Sequence, residues 1–198
     1  MNAVPGWDLY HAFTAIAKGE AGASGIGAIL AKEMQIYPEG TRVLHFAENH
    51  ETPRAMNNLG SKDHHLALFV IFTAPGIPMI FNGEELNDPP FMNLNRKTDV
   101  NWYNIHWPTY NLISSLARFR KSSPVLPRGN LSQIADTKSV GGFSRRYRNE
   151  TWFILVNYSD TEQIYQCDVK TTVFSDGESG VIRDGRVLLK AKGYCIVK

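Results

Sequence analysis

Apolar residues recur along the chain first at helical spacing, interrupted by short strand-like runs, and later at a spacing of two. Trp7, Leu9, Tyr10, Phe13 and Ile16 predict a helix that opens behind the breaker Pro5-Gly6, with Asp8 as its N-cap and no element ahead of it. Gly19 to Gly27 reads as a flexible connection. Ile26, Ile29, Leu30, Met34 and Ile36 then predict a second helix, stopped by Pro38-Glu-Gly40. Val43, Leu44 and Phe46 form a strand that ends abruptly, because Glu48, Asn49, His50, Glu51 and Arg54 follow it and Pro53 bars its continuation. The pattern then repeats. Asp63 caps an apolar helix from His64 to Thr73, Pro75-Gly76 ends it, and Ile77 to Phe81 is a strand that runs into Asn82-Gly83-Glu84-Glu85.

Residues 86–106, with Pro89-Pro90 and few aliphatic residues, read as a long loop. Its aromatic residues Phe91, Trp102 and Tyr103, with Trp107 beside them, either face a ligand or anchor the loop. Tyr110, Leu112, Ile113, Leu116 and Phe119 mark an amphipathic helix from Pro108 to about Ser123, with Arg118, Arg120 and Lys121 at its negative end. Beyond it the period becomes two: Gly142 to Arg148, Thr151 to Tyr158, Ile164 to Val169 and Arg186 to Lys190 are strands separated by turns. Arg145, Arg146 and Arg148 read as a solvated strand face.

Helix, strand and polar exit, twice over with about thirty residues between the strands, is the spacing of βα units in a parallel sheet or barrel. The expected organisation is therefore an α/β part, residues 1–123, followed by an all-β part, residues 124–198. Polar groups just past the carboxyl ends of buried strands mark the edge at which α/β proteins place their sites. The adjacent His64 and His65 point in different directions on a helix and are assigned no chemistry. Gly22 to Gly27 lacks the preceding strand and the following Lys-Ser/Thr of a phosphate loop.

Composition narrows the partners. The 198 residues are 43% hydrophobic, enough for a core, and carry a net charge of +2, 21 basic residues minus 19 acidic. That charge is not concentrated in a basic block, so neither nucleic acid nor an anionic membrane is expected as a partner, and no apolar run approaches the roughly eighteen residues of a membrane span. Cys167 and Cys195 read as buried free thiols, because neither lies near a second thiol or a clustered His.

Phe46-Ala-Glu-Asn49-His50-Glu51 resembles the Phe-x-x-Asn-His-Asp motif of the α-amylase family of glycoside hydrolases, departing at its last letter. Gly76-Ile77-Pro78 with Gly83 and Glu85 resembles that family's Gly-x-Pro-x-x-x-x-Gly-x-Glu. Trp-Asp-Leu-Tyr at residues 7–10 is similar to its sixth-strand exit, and Leu112 to Lys121 with Pro124 and Gly129 to its final barrel helix. The resemblance implies a partial (β/α)8 TIM barrel, about the last three βα units, followed by a small antiparallel β-sandwich. It implies that Glu51 stabilises the transition state, that His50, Asn49 and Arg54 bind substrate, and that Glu85 and Gly83 support the site from behind. The implied substrate is an α-glucan or oligosaccharide, cleaved or transferred with retention.

Retaining chemistry needs a nucleophilic carboxylate and a proton-donating carboxyl about 5–5.5 Å apart. In the family these sit on the fourth and fifth strands, which this chain does not supply, so it is expected to be inactive alone. The resemblance implies no cofactor or metal within the chain, and it leaves any calcium to the complete enzyme. A noncatalytic amylase-like scaffold or carbohydrate-binding protein is the competing reading, and Glu51 in place of Asp is its best support.

Overall fold

The computed structural model describes residues 3–87 and 97–198. Three short strands, β1 (Ala3–Pro5), β2 (Arg42–His45) and β3 (Ile77–Pro78), form a parallel sheet in the order β1-β2-β3, with Val4 opposite Val43 and Leu44 opposite Ile77. Helices α1 (Trp7–Ala17) and α2 (Ile26–Ile36) connect the first pair. Helices α3 (Ala55–Leu59) and α4 (Ser61–Thr73) connect the second, and α5 (Trp107–Ser122) follows the third strand. All three strands therefore end on one edge of the sheet.

Several local expectations are corrected here. The residues ahead of Trp7 do form an element, β1. It is set by pairing with β2 rather than by its own propensity, and Pro5 is tolerated because the strand lies at an edge. Gly6 allows the strand to close on its neighbour, since a Cβ there would meet Val43 Cγ1 and His45 Nδ1, both at 2.9 Å. Asp8 is not a cap. It lies inside the first turn of α1, with Gly6 at the N-cap position, and pairs with Lys32 at 3.1 Å. Asp63 likewise lies inside the first turn of α4 and binds Lys192 at 2.8 Å. The second strand stops at Pro78 instead of running to Phe81. Pro89, Pro90 and Phe91 of the expected long loop lie outside the described residues.

The remainder is antiparallel. After the short helix α6 (Val125–Arg128), a five-stranded sheet has the order β4-β5-β6-β11-β8, and a three-stranded sheet the order β7-β10-β9. Their strands are β4 (Asn130–Gln133), β5 (Val140–Tyr147), β6 (Glu150–Asn157), β7 (Gln163–Gln166), β8 (Thr172–Ser175), β9 (Val181–Arg183), β10 (Arg186–Leu189) and β11 (Tyr194–Val197). The period of two explains the layering. From β6 and β11, Trp152, Ile154, Val156, Tyr194 and Ile196 face the helices, while Leu155, Cys195 and Val197 face the smaller sheet with Tyr165, Val187 and Leu189. Cys167 and Cys195 are buried free thiols.

One hydrophobic core crosses the boundary expected near residue 123. Leu9, Leu66, Phe69 and Leu116 of the α/β part belong to the same cluster as Ile154 and Ile196. Arg145 contributes to this junction and corrects the reading of a solvated arginine face. It is 1% exposed and donates to the carbonyls of Thr73 (2.9 Å), Leu126 (2.6 Å) and Gly129 (2.7 Å). Arg120 reaches the carbonyls of Phe72 and Ala74 and that of Gly76 at 2.7, 2.9 and 2.8 Å, so two cations satisfy the carboxyl end of α4. Arg146 and Arg148 are exposed, as expected.

Beneath the sheet, His45 of β2 lies 3.7 Å from Glu33 of α2, both buried. Burial outweighs their mutual attraction. It pushes Glu33 up to about 7, helped by Asp8, and brings His45 down to about 4. Glu33 therefore contributes stability that is complete below its ordinary value of 4.5 and is lost as the pH rises through about 7. His45 does the reverse, contributing stability that is complete above 6.5 and lost as the pH falls through about 4. Glu33→Gln, neutral at every pH, should melt close to the parent at pH ~5 and above it at pH ~8, by on the order of 2 kcal/mol. Thermal melts across that range check this, and an offset independent of pH would refute it.

Candidate functional site

Because the parallel strands end on one edge, three segments meet there: Gly6 and Trp7 after β1, Phe46 to Arg54 after β2, and Met79 to Leu86 after β3. Trp7 packs edge-on against the buried Phe46 ring at 5.1 Å, and Tyr10 stacks on the same ring at 5.6 Å. This anchors the base of the Phe46–Arg54 segment.

The turn above that base is built by its own polar groups. Asn49 Oδ1 accepts the Glu51 N–H at 2.7 Å, the Asn49 N–H donates to Thr52 Oγ1 at 2.8 Å, and the Thr52 N–H returns to the Asn49 carbonyl at 3.2 Å. Asn49 and Thr52 are consequently buried, while His50 and Glu51 stand exposed at the tip. An imidazole and a carboxylate side by side on a braced turn can bind the hydroxyls of a polar ligand.

Beneath the turn lie two carboxylates. Glu48, 2% exposed, accepts the Arg54 guanidinium on one oxygen and the Ala55 N–H, at 2.5 Å, on the other. Glu84, 1% exposed, accepts the Phe81 N–H at 2.9 Å and faces His64 Nε2 at 3.0 Å. Burial, and then the nearby Glu84, push Glu48 up to about 7 against the opposing pull of Ala55 and Arg54. Arg54 was expected among the substrate contacts. It is 3% exposed and turned inward, its guanidinium held by Glu48 and by the Asn82 carbonyl at 2.9 Å and lying over the Phe81 ring.

Gly83 has φ 89°, and a Cβ on it would meet Arg54 Nη2 at 3.0 Å, so glycine here lets the guanidinium approach. Glu85 is half-buried and lines an open hollow with Phe81, Asn82 and Tyr110. Of the two adjacent acidic residues, Glu84 rather than Glu85 is locked beneath the turn. His64, assigned no chemistry from the sequence, is its partner. The signal available was the position of His64 on the buried length of α4, where a polar side chain requires a partner. Trp102, Tyr103 and Trp107 are exposed, and Trp107 packs edge-on against Tyr110 at 5.8 Å. Among the described residues no group of three His, Cys, Asp or Glu side chains could hold a metal ion, and no helix is long and apolar enough to cross a membrane.

No protein-family model matches the chain. It is 27% identical over 156 residues to an α-amylase of Haloarcula japonica, covering 75% of this chain and 23% of that protein. It is 27% identical over 116 residues to a cyclomaltodextrin glucanotransferase of Thermoanaerobacterium thermosulfurigenes, covering 57% of this chain and 16% of that protein. The chain thus spans less than a quarter of the length of either relative. Among solved structures, the α-amylase from H. orenii superposes on the whole of this chain with a TM-score of 0.77 at 18% identity, using 49% of its own length. Over the part of its relatives that it spans, the chain is thus similar to α-amylases and cyclomaltodextrin glucanotransferases, and it shares the fold of a solved α-amylase.

Proposed function

We propose that this chain is the C-terminal part of an α-amylase-type enzyme acting on α-glucosidic bonds, with the nucleophile and the acid/base supplied by barrel strands outside it. On this reading the parallel sheet is the last three βα units of a (β/α)8 barrel, and the antiparallel sheets are the β-sandwich that follows. The observation that carries the proposal is the braced turn. It presents His50 and Glu51 to solvent at the carboxyl edge of a parallel sheet, within a motif spaced as in the family. His50 contacts sugar hydroxyls and Glu51 stabilises the transition state. Asn49 shapes the turn, and Arg54 supports it from below. Glu48 and Glu84 are already engaged with buried partners and do not serve as the missing pair.

The purified chain should release no reducing ends from starch or maltooligosaccharides, because it offers transition-state contacts without the two carboxylates that break and form bonds. Maltoheptaose at millimolar concentration should nevertheless shift the NMR signals of residues 49–52. Turnover that is abolished by Glu51→Gln would overturn the assignment of the missing groups. One observation favours a second reading, a noncatalytic amylase-like scaffold: the longer Glu51 stands where the family has Asp.

A further inference from the structure

We propose that Glu48 and Arg54 are positioning residues that close the His50–Glu51 turn into a ring and fasten it to the neighbouring strand exit, where Glu84 and His64 form the second anchor. The role assigned to the turn rests on the proposed function above, whereas the closure rests on geometry alone. Glu48 stands at the start of the turn, and its carboxylate takes one donor on each oxygen from the far end, the Arg54 guanidinium and the Ala55 N–H. Both ends of residues 49–53 are thereby held by one side chain. Arg54 then donates to the carbonyl of Asn82, in the segment whose Glu84 is gripped on both oxygens by Phe81 N–H and His64.

The charges explain how so many ionisable groups tolerate burial. The ring nitrogens of His64 both face acceptors, Glu84 Oε1 at 3.0 Å and Asn87 Oδ1 at 3.2 Å. Each of the buried side chains Glu48, Arg54, Glu84 and His64 thus faces an oppositely charged or hydrogen-bonding partner, the condition under which burial is least costly. Removing one member leaves the others unbalanced and releases one end of the turn.

The test uses the 198-residue chain and amide hydrogen exchange read residue by residue. In Glu48→Gln, whose carboxamide cannot accept on both sides, the Glu51 and Thr52 amides should exchange faster by on the order of 10-fold, while those of Ile154 and Ile196 keep their rates. Arg54→Lys, which keeps the charge but lacks the planar guanidinium that lies over Phe81, should fall between parent and Glu48→Gln. Should Glu48→Gln fail to fold, Glu84→Ala, which removes both contacts of the second anchor, should accelerate the same two amides to a smaller extent. Unchanged rates at Glu51 and Thr52, or equal acceleration at Ile154 and Ile196, would overturn the proposal, the latter showing a merely structural role. Local acceleration with no response of the parent to maltoheptaose would uphold the positioning role and overturn the sugar-binding reading instead.

Discussion

Arg145→Ala should cost the protein about 3–5 kcal/mol, from three carbonyls left without their donor and a cavity at the junction. The side chain is fully buried, and burial together with repulsion from Arg120 brings its pKa down to about 9, so it stays charged at neutral pH. It donates to carbonyls from the end of α4, from α6 and from the segment just after α6. Alanine would leave those carbonyls without these donors and open a cavity between the helices and the five-stranded sheet. Arg146→Ala, one residue along on the exposed face, should stay within about 0.5 kcal/mol of the parent. Urea unfolding of the two variants checks both values. A loss below about 1 kcal/mol for Arg145→Ala would mean that water replaces the guanidinium and that the junction is looser than its hydrogen bonds indicate.

The second large effect concerns Glu51 in the complete enzyme. Catalytic groups tolerate displacement of only about 0.5 Å, and about 1 Å of misplacement costs on the order of 100-fold. One methylene exceeds that tolerance unless the turn is set to receive it. The bracing by Asn49 and Thr52, closed from below by Glu48 and Arg54, fixes the backbone from which the longer side chain projects. Glu51→Asp and Glu51→Gln should therefore each lower kcat by about 100-fold or more with a modest change in KM, as for a contact made mainly in the transition state. A rise in activity in Glu51→Asp would identify a site decayed from the family's Asp. No change in either variant would remove Glu51 from the chemistry and favour the scaffold reading.

Much of the architecture was legible because long periodic segments declare themselves. The helical spacing at Ile26 to Ile36 and Leu112 to Phe119 and the alternation from Thr151 correspond to α2, α5 and β6. Some short strands were not legible. β1, β8 and β9 are three or four residues long, too few to show a period, and they exist because a neighbour supplies their hydrogen bonds. The caps failed for a related reason: Gly6 and Gly60 take the N-cap positions, and Asp8 and Asp63 are drawn to Lys32 and Lys192, partners that spacing along the chain does not reveal.

At the site the division is similar. The order of residues after β2, an apolar run giving way to Glu48, Asn49, His50 and Glu51, was sufficient by itself to put His50 and Glu51 just past the carboxyl end of a strand, and the turn they stand on is closed by Asn49 and Thr52 within the same stretch. Those are contacts of short range, decided by residues within a few positions of one another. Which charged groups face solvent was decided only by the tertiary structure. Arg54 turns inward because Glu48 and the Asn82 carbonyl meet it there, His64 finds Glu84, and Arg145 is buried where its strand crosses the ends of α4 and α6. A charged side chain is buried only where partners distant in sequence converge on it, and that convergence is a property of the packed elements rather than of any local pattern.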